Sequence, residues 1–60
     1  MKNVIVKYET IGVNGVVNVL AIDNNPEEEM VFFSVEDLEE FLPEFLKDFY
    51  NTTNYTLQKA

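Results

Sequence analysis

The chain has 60 residues, with eleven Asp and Glu against four Lys and no Arg, a formal net charge of −7, and neither Cys nor His. This excludes disulfides, Cys–His and Ser–His nucleophilic chemistry and the usual soft metal ligands, and it disfavours direct binding to DNA, RNA or an anionic membrane, which needs a basic face. One domain of this size buries only about 60% of the surface its unfolded chain exposes, so a second copy or a larger partner is the expected source of further buried surface.

Residues 2–11 read as a strand in which Val4, Val6 and Tyr8 alternate with Ile5, Lys7 and Glu9. Residues 16–23 read as a second strand. Between them Asn14-Gly15 is a strong hairpin signal, because both residues accept positive φ. The turn is either that two-residue loop or the four-residue loop 12–15. Either register puts Val4, Val6, Tyr8, Val17, Val19 and Ala21 on one face, the natural core face. The other face receives Ile5, Ile11, Val13, Val16, Leu20 and Ile22, with Lys7, Glu9 and Asn18 among them. Six apolar residues are many for a solvated sheet face, so this side is a candidate surface for a homodimer or a target complex.

"DNNPEEE" reads as a polar loop. Asp23, Asn25, Glu27 and Glu28 offer oxygens to a hard cation, but the calcium-loop pattern wants Gly where Glu28 stands, so neither a metal nor any other cofactor is expected. Residues 30–33 form a short apolar run consistent with a third strand.

Ser34 then caps a helix, with Asp37 three residues on. The apolar positions Val35, Leu38, Phe41, Leu42, Phe45, Leu46, Phe49 and Tyr50 cover about half the helical wheel. Pro43 lies in the middle and predicts either a kink or a division into two helices. The stretch "YTLQK" alternates again and predicts a last strand. The expected fold is α+β, in ββ(β)αβ order. A small antiparallel sheet of three to four strands carries one acidic helix, bent or split at Pro43, across one face.

Nine of the eleven acids lie between Glu27 and Asp48. Glu36, Glu40, Glu44 and Asp48 fall four apart, so they share one helix face with Asp37 beside them. Like charges at this spacing repel by about 0.2–0.5 kcal/mol per pair. A helix selected for stability alone would carry Lys at some of these positions. The ladder spaces its charges by about 6 Å, close to alternate phosphates along one DNA strand.

Size, charge, the hairpin and the acidic helix together resemble the small inhibitors that phages encode against host enzymes, among them anti-CRISPR and anti-restriction proteins and inhibitors of uracil-DNA glycosylase. The likeness spans the whole chain and rests on no specific motif. It implies a non-enzymatic, DNA-mimicking inhibitor. Glu36, Asp37, Glu40, Glu44 and Asp48, with Glu27, Glu28 and Glu29 of the loop, would meet the basic surface of a nucleic-acid-binding enzyme. The alternative is a homodimeric or adaptor module that works through its apolar sheet face, with the acids serving solubility. No export signal and no apolar run of about 18 residues is seen, so a cytoplasmic protein that does not span a membrane is expected.

Overall fold

The hairpin around Asn14-Gly15 closes the longer way. In the computed structural model, which describes residues 2–60, β1 (Val4–Ile11) pairs antiparallel with β2 (Val16–Ile22). Ile11 stands opposite Val16, which leaves residues 12–15 as the loop. Gly12 and Gly15 have φ of 69° and 75°, a left-handed region that side chains rarely adopt. The loop therefore needs both glycines.

The register shifts within this hairpin. Lys7 pairs with Ala21, but Tyr8 pairs with Val19, so Leu20 is an extra residue forming a β-bulge. The inward alternation of β2 runs through Val17 and Val19, then skips a position to Ile22. Ile22 is therefore fully buried, which corrects its placement on the outer face. Ala21, expected in the core, is half-exposed instead.

The polar stretch after β2 is more ordered than a loop. Asp23 and Asn24 have φ of 53° and 66° and make a two-residue turn of the type that suits tight hairpins. It leads into β3 (Asn25–Pro26), with Asn25 opposite Ile22. Pro26 is tolerated because β3 is an edge strand. Residues 27–30 then leave the ladder, with Glu29 at φ 59°. The detour is held at both ends. The Glu27 N–H donates to the Leu20 carbonyl at 3.0 Å, and the Val19 N–H donates to the Met30 carbonyl at 2.9 Å. The chain rejoins β2 as β4 (Val31–Phe32), with Phe32 opposite Val17.

Ser34 caps α1 (Val35–Tyr50) as its sequence predicts, its Oγ accepting from the Asp37 N–H at 3.2 Å. The helix is continuous over 16 residues, so Pro43 does not divide it. Pro43 is exposed, which puts the missing hydrogen bond on the solvent side, where the Glu39 carbonyl it frees can meet water. Asn51 ends the helix in the left-handed conformation, φ 55°.

α1 crosses the sheet and delivers β5 (Tyr55–Lys59) to the far side of β1, in parallel, with Val4 opposite Tyr55. The sheet is thus mixed and not purely antiparallel as expected. The helix supplies the long crossover that a parallel neighbour requires. The strand order is β3-β2-β1-β5, with β4 also on β2, so β1 is flanked on both sides.

The core lies between sheet and helix. Val4, Val6, Val17, Val19, Ile22, Leu38, Leu42 and Leu46 are all fully buried. Each end of the helix packing is tied by a tyrosine. The Tyr50 hydroxyl donates to the Ile22 carbonyl at 3.3 Å and accepts from Asn25 Nδ2 at 3.3 Å. The Tyr55 hydroxyl donates to Glu39 Oε1 at 3.3 Å, joining β5 to α1.

Burial first, then the Glu39 charge and this hydrogen bond, push the Tyr55 phenol above its ordinary 10.0. The fold favours the neutral phenol. Its contribution is therefore fully present below about pH 10 and is lost as the pH rises through the raised value. Thermal melts at increasing alkalinity are expected to show a shallower decline for Tyr55→Phe than for the parent chain. Identical alkaline limbs would mean that the tyrosine–glutamate contact does not persist in solution.

Candidate functional site

The acid ladder stands where its spacing predicts. Glu36, Asp37, Glu40, Glu44 and Asp48 are all exposed on the outer side of α1. Because the helix is unbroken, Glu36, Glu40, Glu44 and Asp48 run as one row with a rise of about 6 Å per step. Among the described residues the ion pair found is Lys2 with Asp23, at 2.8 Å, far along the chain from the ladder. Lys2 also lies over the Tyr50 ring, 5.4 Å from its centroid. The helix carboxylates thus have no cationic partner among the described residues.

The loop acids sit in the detour between β3 and β4. Glu28 and Glu29 are exposed and Glu27 is half-buried. They flank β2 on the edge that also carries β4, and no hydrogen bond or ion pair ties them to the helix acids among the described residues. Among these residues no group of acids is placed to hold a metal ion, and no helix is long and apolar enough to cross a membrane.

A second row accompanies the ladder. Phe32 of β4 meets Phe41 at 5.1 Å between ring centroids; Phe41 meets Phe45 at 5.0 Å, and Phe45 meets Phe49 at 4.7 Å. This aromatic row runs along the flank of α1 that faces β4. Glu44 and Asp48 each follow a phenylalanine by three positions, so each neighbours it on the helix surface. Phe41, Phe45 and Phe49 with Glu44 and Asp48 line a shallow open depression of about 270 Å³.

Phe49 is 71% exposed and Phe33, just after β4, is 84% exposed. The helical periodicity assigns Phe49 to the buried stripe, but the residues buried on α1 are Leu38, Leu42 and Leu46 alone. Half a helical wheel is more apolar surface than so small a sheet covers, and that excess was the available signal for an exposed aromatic row.

The outer sheet face is smaller than its sequence suggests. Ile5, Val16 and Leu20 are half-buried there, and Ile11 is 50% exposed. Ile22 has left for the core, and Val13 sits in the hairpin loop, wholly in solvent. Val31 of β4, 55% exposed and paired with the outward Asn18, joins this face in their place. The face also carries Lys7 and a hydrogen bond from Asn18 Nδ2 to Glu9 at 3.1 Å. No protein-family model, curated protein or solved structure matches the chain.

Proposed function

We propose that the protein is a non-enzymatic inhibitor that occupies the basic nucleic-acid-binding surface of a target enzyme, in the manner of the phage-encoded DNA mimics, within the cytoplasm of the host cell. The observation that carries this reading is the carboxylate row Glu36, Glu40, Glu44 and Asp48, without a cationic partner among the described residues, on an uninterrupted helix. Its spacing approximates alternate phosphates, and a fixed helix presents the charges already arranged. The exposed phenylalanines beside it supply the apolar anchors that charge alone lacks, since aromatic residues dominate binding energy at interfaces. Glu27, Glu28 and Glu29 extend the negative field along the β2 edge, and Asp37 adds to it at the start of the helix.

The test is capture from nuclease-treated bacterial lysate on immobilised protein, followed by elution with duplex DNA. The expected result is a basic nucleic-acid enzyme that is held at low salt, weakened at high salt and displaced by the DNA. A partner retained through both salt and DNA would overturn the mimic.

The outer sheet face supports a second reading, a homodimer or adaptor. It is the broad face that carries none of the helix acids, so two copies stacked through it would hold their acidic helices apart. Under this reading sedimentation at rising concentration shows a dimer, and Val16→Lys with Leu20→Lys splits it while leaving the helical signal unchanged. A monomer at every concentration before mutation sinks the dimer.

A further inference from the structure

We infer that the depression between the aromatic row and the acid ladder receives an arginine side chain of the partner; this rests on the acidic-helix reading above and names its contact chemistry. Three features of the groove converge on that occupant. Its floor is a row of phenylalanine rings, Phe41, Phe45 and Phe49, each lying largely over its neighbour, so the face left open to a cation is the outer one of Phe49, which is 71% exposed. Its rim carries Glu44 and Asp48, one turn apart and without a cationic partner among the described residues. Its volume of about 270 Å³ leaves room for one long side chain beside the row.

A cation is what this combination lacks. Ring faces are electron-rich and attract a cation seated within about 6 Å. The chain already does this once, with Lys2 over Tyr50. Among the described residues none of the four lysines serves the groove. Lys2 is engaged by Asp23, and Lys47 lines a different depression with Lys2 and residues 51–54. Lys7 lies on the outer sheet face and Lys59 at the end of β5. The chain contains no Arg at all, so an arginine must come from another protein.

Arginine fits better than lysine for a geometric reason. Its planar guanidinium stacks on a ring while its N–H groups point outward in the same plane, towards carboxylates at the rim. An ammonium is a compact, more strongly hydrated charge with no planar face to lay on a ring, so even where it meets a ring and a carboxylate together, as Lys2 does with Tyr50 and Asp23, it covers less of the ring. Basic surfaces that grip phosphates are rich in arginine, so the groove adds to the acid ladder a contact that DNA itself does not offer.

The experiment uses two short alanine-based helical peptides, one with two arginines four residues apart and one with two lysines in their place. Each is titrated at low salt into the protein carrying ¹³C-labelled phenylalanine. The arginine peptide is expected to bind about five-fold tighter than the lysine peptide and to move the ring signals of Phe45 and Phe49. Phe49→Leu, at an exposed position, is expected to weaken the arginine peptide more than the lysine peptide and so to remove most of that roughly five-fold preference. Equal binding of the two peptides with unmoved rings overturns the arginine seat and leaves the acidic-face reading standing. Binding of neither peptide overturns both.

Discussion

Leu42→Ala is expected to cost about 3 kcal/mol and to leave the chain largely unfolded at room temperature. Deleting a buried leucine removes its transfer free energy and leaves a cavity, together about 2–5 kcal/mol. Leu42 is fully buried and is the middle member of the Leu38, Leu42, Leu46 stripe, the fully buried residues that α1 contributes to the core. A domain of this size rarely holds more than about 3–5 kcal/mol in total. It also carries a proline inside its one helix, a feature that costs about 3 kcal/mol relative to alanine. Little reserve remains. Urea unfolding followed by circular dichroism measures the change. Leu42→Met, which conserves volume, should cost less than about 1.5 kcal/mol. Phe49→Ala, mostly exposed, should cost about 1 kcal/mol or less, from its ring contact with Phe45. If Leu42→Ala costs no more than Phe49→Ala, the helix does not press on the sheet as described.

That comparison isolates what periodicity can and cannot tell. Leu42 and Phe49 belong to the same apolar arc of the wheel, yet one is sealed and the other is open. A wheel gives the direction of the apolar side but not the extent of the surface opposing it. In the last turn, Tyr50 takes the place beside the Asp23-Asn24 turn, and Phe49 is left on the flank. The hairpin was legible because its signals are local, alternating residues and the Asn14-Gly15 pair, but its loop length was not, since positive φ falls at Gly12 and Gly15 and not at Asn14. The bulge at Leu20 was not. Ala21 and Ile22 are both apolar, so the alternation reads equally well either way, and only pairing with β1 decides which one turns inward. The parallel direction of β5 was hidden for a similar reason, since "YTLQK" has the same pattern in either orientation. The acid ladder was fully legible, because exposure of charged residues on a helix follows from their spacing and their cost of burial.

Reversing Glu36, Glu40, Glu44 and Asp48 to Lys is expected to weaken target binding by about 100-fold or more at low salt while leaving stability nearly unchanged. The reversal moves the formal net charge by eight units, from −7 to +1. Each exposed charge pair is worth about 0.2–1 kcal/mol, and reversal replaces an attraction with a repulsion at four positions, besides reversing the steering of encounter. Stability should hardly move, because the like-charge repulsion along the row is the same for four lysines as for four acids. The helix dipole disfavours Lys at position 36 and favours it at position 48, so those effects largely cancel. The matched variant with Gln at the first three positions and Asn at the fourth separates charge from repulsion. It should be more stable than the parent by about 1 kcal/mol, the sum of three relieved pairs, and should still bind poorly. A gain in stability joined to a loss of binding is the signature of charges kept for a partner. Binding that survives both variants would leave the acids as a solubility feature and move the functional surface to the outer face of the sheet.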